Sequence, residues 1–191
     1  MIDPDDTAVV MINYSTDFFR HTFSKMEFLM GMDYMNSFIS KYNIPVLFTR
    51  RKLYYDIRNH ELKEIRDFKE KNRKKNMPPG SDYDENFIKE FNRKIAIENE
   101  INVHREDIFF QSNIENILNN MGRKTILFGG FFTDTDVFIS SVSASIREYR
   151  SLVVSDISST YSERLYFQSL EMISQFIDVI DTRDLGEDFP V

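Results

Sequence analysis

The chain has no cysteine and no tryptophan, and only three of its 191 residues are histidine. Without a thiol there can be no disulfide, no thiolate metal site and no cysteine nucleophile, and the redox compartment is left open. His21, His60 and His104 lie at no spacing that would set two of them on one metal, so neither a metal nor a cofactor is expected. No apolar run approaches the length of a membrane span. The acidic start, M-I-D-P-D-D, lacks the basic and apolar regions of a signal peptide. A soluble, cytoplasmic protein without a membrane partner is expected. A net charge of -7 argues against a nucleic-acid partner, because phosphate binders usually show a basic face. One basic cluster, Lys69 to Lys75, runs against that balance and reads as a solvated face. What the chain has in quantity is 18 Phe and 9 Met, which make a bulky and adaptable core. At 191 residues it is the size of one domain.

Apolar periodicity alternates between strand and helix along the chain. Thr7 to Asn13 is a continuous apolar run of strand length and reads as a buried central strand. From Phe23 to Tyr42, Met26, Leu29, Met30, Met32, Phe38 and Ile39 recur at roughly helical spacing, and Ile44 to Thr49 makes a second strand. Strand, helix and strand in that order give a right-handed crossover. Residues 50 to 100 are charged and weakly periodic, with a turn signal at Met77 to Ser81, and fit an insertion or lid. Phe109 to Met121 reads as a helix capped by Ser112 and ended by Gly122. Strands at Thr125 to Phe128, Leu152 to Ser155 and Ile177 to Ile180 alternate with helices near Asp134 to Tyr149 and Ser162 to Phe176. This rhythm predicts a three-layer α/β/α fold around a mostly parallel sheet.

Residues 125 to 137, T-I-L-F-G-G-F-F-T-D-T-D-V, run an apolar strand through a predicted Gly-Gly turn into a helix, with Asp136 in the first helical turn. Ligands sit at such junctions, because the carboxyl ends of parallel strands open into a crevice and helix N–H groups favour an anion. The residue type supplied there is a carboxylate, which either caps the helix or acts chemically.

The same stretch resembles the G-V-x-T-D-x-C-V signature of the isochorismatase-like hydrolases, the superfamily of nicotinamidases, N-carbamoyl amidases and isochorismatases. Gly130, Thr133, Asp134 and Val137 match, Ser140 and Ala144 keep small helix positions, and Asp156 falls where the family's next strand ends in Asp. The resemblance implies a nucleophilic Cys where this chain has Asp136. It also implies a D-x-Q-x-D-F opening strand whose first Asp is the general base; the corresponding N-Y-S-T-D-F keeps Asp17 and Phe18 but has Asn13 at the base position. An amide neither accepts nor donates a proton as that Asp would. A family Lys is implied before the pattern matched by Phe109, Ser112 and Ile114; counting back gives Val103, and a slip of one or two residues gives His104 or Arg105. Phe131 and Phe132 stand where relatives hold a cis peptide, Phe132 is a candidate plug for the pocket, and Tyr166 replaces a family His.

Asp, Lys and Cys act as one unit in these hydrolases, so three departures together dismantle the inherited mechanism. The leading expectation is a family member that binds a small metabolite, or serves as an accessory subunit, without the family's hydrolysis, and that forms a homo-oligomer. The alternative is an active hydrolase of a small amide or vinyl ether using Asp136 with His104 or Arg105. The positions to locate are Asn13, His104 and Asp136 as catalytic candidates and Arg50, Phe131, Phe132 and Thr133 as substrate-binding candidates. Arg50, with Arg51 and Lys52, suits a carboxylate-bearing ligand or simply ends a strand.

Overall fold

Strand β1, Thr7–Ile12, is buried along its whole length, and its alternate side chains feed two different cores. Val9 and Met11 point into a cluster with Phe28, Leu29, Met32 and Met35; Ala8, Val10 and Ile12 point into another with Ile114, Leu118, Val137 and Ala144. A strand apolar on both faces belongs in the middle of a parallel sheet covered on both sides, and that is its place here. The computed structural model describes residues 2–52, 60–75, 77 and 84–185.

After β1 come α1, Thr16–Phe19, and the long α2, Lys25–Tyr42, closed by Asn43 in the left-handed conformation. Next are β2, Val46–Arg51; α3, His60–Lys75; α4, Asp84–Lys94; β3, Ile101–Val103; and α5, Ile114–Asn120. Strand β4, Thr125–Phe131, passes through a π-helical turn, Thr133–Val137, into α6, Phe138–Ile146. The chain ends with β5, Arg150–Ser159; α7, Glu163–Ile173; and β6, Asp178–Ile180. Among the described residues six strands are ordered β3-β2-β1-β4-β5-β6, and each pairs in parallel with its neighbours. Helices α2 and α4 cover one face, and α5, α6 and α7 the other, giving the three-layer α/β/α arrangement. None of the described helices is long and apolar enough to cross a membrane.

Several boundaries differ from the sequence reading. β2 runs two residues beyond Thr49, because β3, a strand too short to show in the pattern, pairs with Thr49, Arg50 and Arg51. The two glycines make no turn: both lie inside β4, where Gly130 takes φ +103, and a Cβ there would press on the Ile12 backbone of β1. Helix α5 begins at Ile114, five residues late, since Ile108 and Phe109 are buried in a loop; Ser112 accepts from Ile114 N at 3.4 Å, and Gly122, φ +68, does follow the helix end. The proposed turn at residues 78–81 lies outside the described residues.

The charged region between residues 50 and 100 divides into two unlike helices. Helix α4 sends Phe91 into the core, where it stacks on Tyr14 at 4.2 Å and on Phe19 at 4.3 Å. Helix α3 leaves Leu62, Ile65 and Phe68 exposed and is fastened through arginines.

Candidate functional site

The strand order reverses between β1 and β4, and a crevice opens at the carboxyl ends on either side of such a point. Asn13 follows β1 there, fully buried and in the left-handed region at φ 50, which asparagine tolerates better than most residues. Its amide is used from both ends. Oδ1 accepts from the Arg51 backbone N–H at 2.7 Å, Nδ2 donates to the Phe131 carbonyl at 3.0 Å, and the same side chain lies beside Asp136 and favours its ionised form. A carboxylate at position 13 could not donate to Phe131 and would face another carboxylate, so the amide follows from its neighbours.

Asp136 is 1% exposed. One of its oxygens lies 3.2 Å from Arg51 Nε, and the other accepts from the Thr135 hydroxyl at 3.0 Å. It makes no side-chain cap; Phe132 holds the N-cap position of the π-helical turn. Burial pushes the Asp136 carboxyl up from the usual range, more than Arg51, Asn13 and Thr135 pull it down, and Glu106 adds to the rise. Arg51 continues through Nη1 to Glu106 at 2.8 Å, and Glu106 also accepts from Arg66 of α3 at 3.0 Å. At Glu106 burial pushes upward, but its own backbone N–H, Arg51 and Arg66 together bring the carboxyl below its usual value. Asn13, Asp136, Arg51, Glu106 and Arg66 thus form one continuous chain of contacts.

The cation at Asp136 is Arg51, and sequence reasoning had passed over it in favour of Arg50. Adjacent strand residues face opposite ways, so Arg50 turns to Glu100 at 3.2 Å while Arg51 turns inward. Val103, the counted position of the family Lys, is buried at the end of β3 and is the direct register partner of Arg51. His104 and Arg105 follow β3; the Arg105 guanidinium lies over the Phe110 ring at 5.6 Å. Glu106, the other unanticipated member, is signalled only by following β3 closely.

Phe131 and Phe132 are joined by a cis peptide and both are buried. Thr133 is buried too, and its hydroxyl has no hydrogen-bond partner among the described residues. Asp134 pairs with Arg73 of α3 at 3.1 Å and accepts from Thr160 at 2.6 Å, while the Arg73 guanidinium sits 4.9 Å from the Phe132 ring centre. Tyr166 donates to the Ser155 carbonyl at 2.8 Å, and Asp156 accepts from Thr182 N at 2.9 Å.

Two adjoining cavities open beside this network. One, of about 580 Å³, is bounded by Phe18, Phe132 and Met77 together with Asp17, His21 and Arg50 and by residues of α3. The other, of about 770 Å³, lies along α3 between Arg66 and Lys75 and reaches Arg51, Glu106 and Thr135. Neither is lined by Asn13 or Asp136. Among the described residues no three His, Asp or Glu side chains are grouped to hold a metal ion.

Comparison with curated proteins gives no match. Among solved structures, a cysteine hydrolase from Pseudomonas syringae pv. phaseolicola is similar at TM-score 0.70 and 13% identity, covering 96% of this chain and 92% of that one. The YcaC gene product of Escherichia coli, an octameric hydrolase of unknown specificity, is similar at TM-score 0.68 and 14% identity, covering 96% and 79%. An isochorismatase family protein from Burkholderia thailandensis is similar at 0.67 and 17%, covering 96% and 95%. These likenesses are to the fold. The sequence profile of the isochorismatase domain matches residues 7–184, from the first residue of β1 to the turn after β6. With strand order, signature and profile in agreement, the chain belongs to the isochorismatase family, of which it is a member without cysteine.

Proposed function

We propose that this protein binds a small molecule in the crevice beside β1 and β4 and does not carry out the hydrolysis typical of its family. The observation that carries the reading is the state of Asp136. Its carboxylate is tied to Arg51, Asn13 and Thr135, is 1% exposed, and lines neither cavity. A nucleophile or general base must reach the reacting atom, and a group so enclosed holds the site together instead. Asn13 supports the same reading, since all three of its contacts are structural and an amide transfers no proton at ordinary pH.

The place for a ligand is the cavity of about 580 Å³, where Phe18, Phe132 and Met77 offer apolar surface and Arg50 and Arg73 offer cations. Self-association is part of the proposal. Met26, Met30 and Tyr34 form an exposed stripe along α2 at one-turn spacing, and a relative of this fold is an octamer. Incubation of the purified protein with nicotinamide, isochorismate and an N-carbamoyl amide should give no product above the uncatalysed background. Turnover at ordinary enzymatic rates that Asp136→Asn abolishes would reject the reading. Light scattering across a concentration series should give a mass above that of one chain.

A further inference from the structure

The cavity along α3 has an unusual charge for this protein. Of its eleven lining side chains seven are Lys or Arg and three are Asp or Glu, in a chain whose net charge is -7. The three carboxylates are already occupied: Glu106 by Arg51 and Arg66, Glu70 by Lys74, and Asp67 by Lys63. Lys69, Lys71 and Lys75 make no ion pair or hydrogen bond among the described residues. Arg73, although paired with Asp134, keeps a buried Nε without a partner. Among the described residues the surplus of positive charge is therefore uncompensated, and it collects in a concave site where a bound anion is drawn in more strongly than on an open surface.

Spacing decides what kind of anion. Arg66, Lys69 and Arg73 recur at intervals of three and four residues, so they share one helix face and span about 10 Å. A single phosphate or carboxylate covers only part of that span, whereas a linear polyphosphate reaches along it. The adjoining cavity of about 580 Å³ shares Arg51, Glu70, Arg73 and Lys74 with the first and adds Phe18, Phe132 and Met77. One ligand can then enter both, with a flat ring against the aromatic side and its charges along the helix. Each cavity falls within the roughly 300–1,000 Å³ usual for small-molecule sites.

We propose that the paired cavities bind a nucleoside polyphosphate, its ring beside Phe18 and its phosphates along Arg66, Lys69 and Arg73. The inference rests on the small-molecule-binding reading above and assigns the ligand class. An extended polynucleotide is disfavoured, because the chain as a whole is acidic and the aromatic side of the second cavity, Phe18 and Phe132, suits one ring.

Titration calorimetry of the full chain tests the inference with adenosine triphosphate, inorganic tripolyphosphate, orthophosphate, adenosine and a short single-stranded oligonucleotide. Adenosine triphosphate should bind best and tripolyphosphate at least about tenfold more weakly, with affinity falling as salt is raised. The double variant Lys69→Glu, Lys71→Glu, both exposed and without an ion pair among the described residues, should keep the parent's unfolding transition yet bind adenosine triphosphate at least about tenfold more weakly. Phe18→Ala should weaken adenosine triphosphate but leave tripolyphosphate unchanged. The inference is overturned by absence of saturable triphosphate binding, by unchanged affinity in the charge-reversed variant, or by tighter binding of the oligonucleotide than of the nucleotide. Turnover of nicotinamide would instead reject the non-hydrolytic reading and leave the nucleotide result standing.

Discussion

The Asp136 network and the α3 cleft are made of the same materials, arginine or lysine facing carboxylates, and differ in water. Arg51 and Asp136 have side chains 8% and 2% exposed, whereas Lys63 and Asp67 on α3 are 53% and 65% exposed. In the dry region every charge needs a partner, because an isolated buried ion costs several kcal/mol, on the order given for real proteins. In the wet region water does that work, and charges stay available for a ligand. The difference separates a group that holds the fold together from groups that can take part in binding.

Removing one member of the dry pair should produce the largest effect. Arg51→Met leaves Asp136 without its cation and frees one side of Glu106, and we expect a loss of about 3–5 kcal/mol in urea unfolding. A loss under about 1 kcal/mol would show that water reaches the pair and would erase the contrast.

The amide at position 13 offers a second test. Asn13→Asp removes the donor to Phe131 and sets a carboxylate against Asp136, for an expected cost of about 2–3 kcal/mol. Adding Asp136→Asn should restore part of that stability, giving a double-mutant coupling of about 1–3 kcal/mol. Additive effects would mean that the two side chains are energetically independent.

Arg73 lies between the regimes, 14% exposed, paired with Asp134 and placed over Phe132 and Tyr161. Arg73→Ala should cost about 1–2 kcal/mol and speed hydrogen exchange in α3. Unchanged exchange would show that α3 is held by other contacts.

Acid should act on the buried carboxyl of Asp136 and the half-buried one of Glu106 in opposite senses. Glu106, lowered by its partners, contributes stability above its ordinary value of 4.5 that is lost as pH falls through the lowered value. Asp136, raised by burial, holds its proton more tightly in the folded state, so its ionisation takes stability away as pH rises from 3.8 through the raised value. Urea midpoints followed through the acid range should lose the first limb in Glu106→Gln and the second in Asp136→Asn. The smallest change belongs to the wet side: Lys63→Ala should shift stability by less than about 0.5 kcal/mol.

Much of the sheet was legible because its strands are apolar runs and its helices carry an apolar face. Thr7 and Tyr42 bound their elements as the pattern indicates, and the three later strands fall where it places them, β4 and β5 with longer limits and β6 one residue shorter. β3 was not legible. Three residues, Ile101, Asn102 and Val103, form a strand because β2 pairs with them, and no local pattern carries that information. The consequence reached the site: with β2 ended at Thr49, the three basic residues after it look alike, and strand alternation could not be used to separate Arg51 from Arg50. The substitutions at Asn13 and Asp136 were readable from the signature, but their proximity was not, since the two positions are 123 apart in the chain.

The sequence by itself determined that a parallel α/β sheet would form, through hydrophobic burial read at periods of two and 3.6, and that a thiol mechanism was excluded. Tertiary structure alone decided which cation meets Asp136, which charges stay in water, and that α3 lies along the crevice. Periodicity is a local property of the chain, whereas the pairing and hydration of charges depend on which strand ends and helix faces the fold brings together.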